Sequence, residues 1–134
     1  AGNERLRQEI SAWNDQLVQQ GWQTDLSESR LSQRPWDSGI DATPRAWCEI
    51  KTRYDASTIA YDLAQPGEKS AQLFCMRLKA RNSSLPKAPP LKPYAPTAQT
   101  CLGFWRRGDL VYVLAVEGGP ARYKAFVGSS IPIV

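Results

Sequence analysis

One stretch near the end of the chain limits the possible folds more than any other. Residues 100–119 read TCLGFWRRGDLVYVLAVEGG, which is two runs of β-branched and aromatic residues on either side of a polar tip containing Gly108. This is the sequence form of a β-hairpin. Both faces of the second arm are apolar: Leu110, Tyr112, Leu114 and Val116 alternate with Val111, Val113 and Ala115. We therefore expect this strand to lie inside a sheet that is covered on both faces.

A second hairpin is predicted earlier in the chain. Residues 58–63 and 70–80 both have the alternation of strands, and Gln65-Pro66-Gly67-Glu68 between them has Pro and Gly at the positions that a type II turn prefers. Residues 45–54, RAWCEIKTRY, fit either a strand or a short helix. The two hairpins alone already predict an antiparallel sheet.

Two helices complete the expected fold. Residues 3–20 carry apolar side chains at helical spacing, namely Leu6, Ile10, Trp13 and Leu17, with Gly21 at the end. Residues 120–127 begin with Pro120 and are followed by Gly128, which predicts a short C-terminal helix. We expect an α+β fold: an antiparallel sheet of four to five strands, with the N-terminal helix packed on one face and a short C-terminal helix.

The remaining segments read as connections within one domain, since 134 residues are the usual size of a single domain. Residues 22–44 are rich in turn-forming residues and predict a loop. Residues 81–98 contain five prolines and cannot form a central strand, so we interpret them as a proline-rich crossover between the hairpins. Their PxxP spacing leaves a second role open, as a ligand for a proline-binding domain.

The chain contains no histidine. This absence removes the commonest general base, a frequent zinc ligand, and the Ser-His and Cys-His pairs of nucleophilic catalysis. The three cysteines, Cys48, Cys75 and Cys101, are far apart in apolar surroundings. We expect them to be buried as free thiols, with one disulfide between two of them as the alternative. We expect no bound metal and no cofactor.

Carboxylates are the remaining candidates for catalysis. The pairs Asp55 with Asp62 and Asp37 with Asp41 would need folding to bring them together, and nothing in their surroundings makes one an acid and the other a base. Phosphate-binding glycine loops and the GxSxG motif are absent. We therefore expect no enzymatic activity, and a carboxylate-based enzyme ranks last among the functions considered.

Cations and aromatic rings are neighbours at three places: Arg34 with Trp36, Arg45 with Trp47, and Trp105 with Arg106. Such pairs are typical of single-strand binding, and the net charge of +4 suits an anionic partner. Against this, Trp47 and Trp105 lie in runs that predict buried strands. A soluble single-stranded nucleic-acid-binding domain is therefore the alternative function.

Two stretches carry a family resemblance. Residues 102–127, LGFWRRGDLVYVLAVEGGPARYKAFV, resemble the closing segment of the extracytoplasmic domains of bacterial membrane-anchored anti-sigma regulators, where a W-x-x-G-hydrophobic-Y/W hairpin precedes a short helix. Residues 53–78 resemble the preceding hairpin of the same domains, and together the two stretches cover about half the chain. The zinc-binding cytoplasmic half of such regulators, with its His and paired Cys, has no counterpart in this chain.

The resemblance implies a non-catalytic sensing or protein-interaction module, the periplasmic part of a membrane-tethered bacterial signalling regulator. The chain begins AGNERL and its only methionine is Met76, so we expect it to come from a longer chain with a membrane anchor before Ala1. The expected partner is another protein. We predict Trp36, Trp105 and Arg106 as contact residues, because Trp and Arg are enriched at interface hot spots. For Trp36, a plug over one end of the core is the alternative.

Overall fold

The computed structural model describes residues 2–25, 39–40, 42–78 and 84–127, and for residues 2–6 it describes the backbone alone. Within these ranges the elements are α1 (Gly2–Gln20), β1 (Ala46–Ile50), β2 (Thr58–Asp62), β3 (Ala71–Arg77), β4 (Thr100–Arg107), β5 (Leu110–Glu117) and α2 (Pro120–Val127). The strands form an antiparallel sheet in the order β1-β2-β3-β5-β4. The predicted α+β class, with a long N-terminal helix and a short C-terminal one, is confirmed.

α1 follows the apolar stripe of the sequence. Ile10, Trp13 and Leu17 are buried against the sheet, and the ring of Trp13 packs on Phe74 with the centroids 5.0 Å apart. Gly21 ends the helix with a φ of +78°, and its N–H donates to the Leu17 carbonyl at 2.9 Å. The helix begins at Gly2, one residue before the predicted range.

Both predicted hairpins are present. β2 and β3 pair directly, and the turn between them closes where the Glu68 N–H donates to the Gln65 carbonyl at 3.0 Å, with Gly67 at a φ of +85°. β4 and β5 pair over their full lengths around Gly108. The stretch that fitted either a strand or a short helix is strand β1, since it gains a ladder with β2.

The sheet is covered on both faces, as the two apolar faces of β5 predict. We call the face under α1 the α1 face; its buried strand residues are Cys48, Ile50, Ala60, Phe74, Met76, Leu102, Val111, Val113 and Ala115. The opposite face, which we call the α2 face, buries Trp47, Ile59, Tyr61, Leu73, Cys75, Cys101, Trp105, Tyr112, Leu114 and Val116 together with Tyr123 and Val127 of α2. Two cores therefore share one sheet.

Each outer strand of the sheet forms an isolated bridge with a residue outside it. Gln23 exchanges two backbone hydrogen bonds of 2.8 Å with Trp47 of β1, and Tyr94 exchanges two of 2.8 Å with Leu102 of β4. Tyr94 belongs to the proline-rich crossover, of which residues 84–98 are described. Because unpaired strand edges invite aggregation, the crossover protects the β4 edge while it connects the two hairpins.

Candidate functional site

Trp105, one of the three predicted contact residues, lies inside the core. Its side chain is 0% exposed, and its ring stacks on Tyr112 with centroids 5.5 Å apart and an interplanar angle of 19°. The alternation along β4 places it on the α2 face with Cys101. This burial leaves no ring surface for a partner to touch, which contradicts the prediction of Trp105 as a contact residue; its role in this fold is packing.

Arg106, the second predicted contact residue, is held by the fold itself. Its Nη2 donates to the Leu78 carbonyl at 2.8 Å and its Nε donates to the Gly108 carbonyl at 2.8 Å. Its backbone N–H donates to the Pro86 carbonyl, also at 2.8 Å. The side chain thus ties the end of β3 to the turn between β4 and β5. Trp36, the third predicted contact residue, lies outside the described residues, so its role stays a prediction.

The pair of Arg45 and Trp47 offers no exposed ring either. Trp47 is 8% exposed, and its indole N–H donates to the Asp25 carbonyl at 2.7 Å. Arg45 lies 3.4 Å from the carboxylate of Asp62. Single-strand binding relies on bases stacking on accessible rings. Trp47 and Trp105 do not provide such a surface in this fold.

The carboxylates of Asp55 and Asp62 stand at opposite ends of β2 and serve local structure. Asp55 accepts the N–H groups of Ser57 at 2.9 Å and of Arg77 at 2.7 Å. Asp62 accepts the N–H of Ala64 at 3.1 Å. These two carboxylates are therefore not brought together as an acid and base pair. Asp37 and Asp41 lie outside the described residues.

The three cysteines are buried free thiols, as predicted, and no disulfide joins them. Burial raises the pKa of all three thiols, with a further contribution from Glu49 at Cys48 and from Glu117 at Cys101. A raised pKa keeps a thiol protonated, and the thiolate is the reactive form. These residues therefore act as small apolar side chains in the cores rather than as nucleophiles.

The described residues contain no group of three or more Cys, Asp and Glu side chains placed to hold a metal ion. Among the described helices, none is both long and apolar enough to cross a bilayer.

Among the residues that the structure describes, the best candidate for a binding site is a groove between the proline-rich crossover and α2. We call it the crossover groove; it has a volume of about 440 Å³ and is lined by Leu91, Lys92, Pro93, Ala95, Pro120 and Lys124. The lining is mostly apolar, and Leu91 is 52% exposed although it is a large aliphatic side chain. An exposed apolar surface with a polar rim is a common form of protein-binding site.

Two lysines, Lys92 and Lys124, supply the charge at the crossover groove. No carboxylate of the described residues forms an ion pair with either of them. The neighbouring Arg122 is engaged elsewhere, since its Nη1 donates to the carbonyls of Glu117 at 2.6 Å and Ser70 at 3.1 Å. The groove therefore presents two positive charges beside apolar walls.

The two walls of the crossover groove are held together by Tyr123. Its side chain is 0% exposed and crosses the α2 face of the sheet, and its hydroxyl donates to the Pro90 carbonyl at 2.7 Å. The ring fits because Gly103 lies beneath it: a Cβ at Gly103 would overlap the Tyr123 hydroxyl oxygen. Burial raises the pKa of Tyr123 to about 12 from 10.0, so the phenol stays a hydrogen-bond donor to a higher pH than an exposed tyrosine would.

The start of α2 is fixed to the end of the crossover as well. The N–H groups of Gly118 and Gly119 both donate to the Gln99 carbonyl, at 2.9 and 3.0 Å, with φ angles of +114° and +95°. Pro120 and Lys124 lie one helical turn apart and so share one side of α2. The distance between the two walls is therefore set at two points, Tyr123 and Gln99.

The crossover groove was not predicted from the sequence. One signal was available: Lys92 and Pro93 in the crossover, and Pro120 and Lys124 at turn spacing in α2, are the same two residue types repeated. Nothing in the sequence indicates that these pairs meet.

Comparison with known proteins gives no relative from which a role for the site could be inferred. No family model, no curated protein and no solved structure matches the chain.

Proposed function

We propose that this domain is a non-catalytic protein-interaction module that binds a segment of a partner protein in the crossover groove. The bound segment carries an acidic residue next to an apolar one. The observation that supports this most is the combination of the exposed Leu91 with Lys92 and Lys124, which have no carboxylate partner among the described residues.

The apolar part of the groove favours a buried side chain from the partner. Full burial of a Leu-sized side chain contributes about 1.5–3 kcal/mol. Pro93 and Pro120 hold two of the walls in fixed backbone conformations, so little conformational entropy is lost when a ligand binds. A rigid apolar wall supports binding of a short segment even where the contact area is small.

The two lysines favour an acidic residue beside that side chain. Charge complementarity raises the association rate and suppresses partners of the wrong sign, and it weakens as salt screens exposed charges. The net charge of +4 acts in the same direction. Nucleic acid fits less well, because none of the described residues that line the groove offers an aromatic ring for a base to stack on.

The cellular setting in the proposal comes from the sequence resemblance alone. We place the module outside the cytoplasm, as the tethered part of a bacterial regulator, where it senses or recruits a partner. Fractionation of cells that express the complete reading frame tests this location separately from the binding experiment below. Recovery of the protein in the cytoplasm would contradict the proposed location. It would not affect the proposal for the crossover groove, which the binding experiment tests.

Binding is tested by fluorescence anisotropy with a labelled peptide that carries Leu and Phe between glutamates. We expect saturable binding with a dissociation constant below about 1 mM, weaker at high salt. The double variant Lys92→Glu/Lys124→Glu should bind at least about tenfold more weakly, because two attractive charges become repulsive. Leu91→Ser should also weaken binding.

The matched control is Lys51→Glu/Lys87→Glu, which changes the net charge equally at two exposed lysines that do not line the groove. It should bind the peptide nearly as well as the parent. Equal losses in the two double variants would show non-specific attraction to a basic protein. Equal binding of a peptide with lysines in place of the glutamates would also contradict the proposal.

A further inference from the structure

A second opening lies on the α1 face, where α1 meets the end of the crossover. We call it the α1 cleft; it has a volume of about 180 Å³. Arg7, Ser11 and Asn14, from successive turns of α1, form one wall, and Pro96 and Thr97 contribute to the other. Ile10 and Leu102 provide apolar surface. The lining is thus polar on two sides, unlike that of the crossover groove.

One side chain of this cleft, that of Asn14, carries a polar atom without a hydrogen-bond partner. Its side-chain Oδ1 is buried and has no hydrogen-bond partner, and it is the one such atom among the side chains of the described residues. A buried acceptor without a donor destabilises a fold, so such atoms are rare in native proteins. If the amide is turned over, the unpaired atom becomes a donor instead. A hydroxyl group satisfies either orientation, because it both donates and accepts.

The opposite wall supplies a donor at Thr97. Its Oγ1 accepts the backbone N–H groups of Gln99 at 3.2 Å and Thr100 at 3.0 Å, so its own hydroxyl proton remains to be donated. The Thr100 hydroxyl, by contrast, donates to Glu117 at 2.8 Å. Arg7 adds a positive charge to the lining. A carboxylate oxygen accepts from a hydroxyl and is attracted by a guanidinium.

We propose that the α1 cleft binds a small hydroxylated carboxylate. The side-chain amide of Asn14 turns toward the cleft on binding and pairs with the ligand's hydroxyl group. The ligand's carboxylate accepts from the Thr97 hydroxyl beside the charge of Arg7. The cleft holds the volume of roughly six water molecules, which limits the ligand to the size of a small metabolite. This site is distinct from the crossover groove, although the crossover contributes a wall to both. It gives the sensing part of the proposed module a defined ligand class.

The experiment compares three probes that differ by one functional group. Glycerate carries hydroxyls and a carboxylate, propanoate lacks the hydroxyls, and glycerol lacks the carboxylate. In ¹H–¹⁵N spectra of the whole chain, glycerate should cause saturable shifts at the side-chain amide of Asn14 and the backbone amides of Thr97, Thr100 and Leu102. Propanoate and glycerol should bind at least about tenfold more weakly, since each leaves one polar wall unpaired.

Variants on α1 separate binding from folding. Asn14→Leu replaces the unpaired amide with an apolar side chain of similar size, so it should lose the glycerate response and keep or raise the melting temperature. Gln19→Leu, at an exposed α1 position, should keep the response. Equal responses to the three probes, or no saturable shift, would show that water alone fills the cleft and would overturn the proposal. A lowered melting temperature for Asn14→Leu would overturn it too, because Asn14 would then be a structural residue.

Discussion

The two faces of the sheet are covered in different ways. The α1 face lies under one continuous helix, whose buried stripe of Ile10, Trp13 and Leu17 packs directly on the strands. The α2 face lies under a helix of 8 residues, which is assisted by the proline-rich crossover. Where the helix and the crossover meet, they leave the crossover groove. The difference shows how a binding surface arises at the junction of two covering pieces without exposing the core.

The crossover also links the two openings. Leu91, Lys92, Pro93 and Ala95 contribute to the crossover groove, and the next residues, Pro96 and Thr97, contribute to the α1 cleft. Within this segment, Tyr94 is fixed to Leu102 at the edge of β4. One segment therefore forms a wall of both candidate sites, while the sheet beneath provides the rigid support.

The largest expected effect comes from Gly103→Ala, which places a methyl group where the Tyr123 hydroxyl lies. Overpacking at this position should displace Tyr123 and lower the free energy of unfolding by about 3 kcal/mol, measured by urea denaturation. The packing of α2 on its face of the sheet should weaken before that of α1, since α1 packs on the other face. An unchanged free energy of unfolding would show that the ring does not lie across Gly103.

Tyr123→Phe is the matched partner for this variant. It removes the oxygen that the new methyl group would meet, and the ring Cζ is then the nearest atom at 3.0 Å. In the double variant the loss of stability should be smaller than the sum of the single losses by at least about 1 kcal/mol. Additive losses would contradict a direct contact between the two positions.

A somewhat smaller loss of folding stability is expected when the pH is raised from 10 to 12. Burial first, and Cys101 second, raise the pKa of Tyr123 to about 12 from 10.0. The folded protein favours the neutral phenol over the phenolate. The stability that this preference contributes is therefore fully present below pH 10 and is lost as the pH rises from 10 to 12. A difference of about two units corresponds to about 2–3 kcal/mol.

Tyr123→Phe again provides the comparison. The parent should lose more stability than the variant between pH 10 and 12, measured as free energies of unfolding at fixed temperature. Because both proteins keep the other titrating groups, the difference between their curves isolates Tyr123. Parallel curves would mean that the phenol reaches solvent and that α2 and the crossover are not closed over it.

Much of the fold could be predicted because its elements carry local patterns. The helical spacing of Ile10, Trp13 and Leu17, and the alternation around Gly67 and Gly108, are short-range signals that fix α1 and both hairpins. The pairing of β3 with β5 is different: Phe74 lies opposite Val113, across the whole crossover. Local periodicity does not specify which strands become neighbours over such a distance.

The candidate site was harder to predict for two separate reasons. For Trp105 the sequence contains the necessary signal, since its alternation with Cys101 indicates a buried face. The general enrichment of Trp at interfaces is a weaker indicator than this alternation. For the crossover groove no signal was sufficient. Leu91 and Lys124 line one groove because Gln99 holds the start of α2 and Tyr123 brings α2 against Pro90. The contact of Tyr123 with Pro90 depends on the absence of a side chain at Gly103.

The most direct test of the proposed binding surface is a ¹H–¹⁵N chemical-shift map of the isotope-labelled chain with the acidic peptide that carries Leu and Phe. We expect saturable shifts at the backbone amides of Leu91, Lys92, Ala95 and Lys124, while the amide of Trp47 at the opposite edge of the sheet stays unchanged. Saturable shifts centred on β1, or none at the crossover and α2, would contradict the crossover groove as the binding surface.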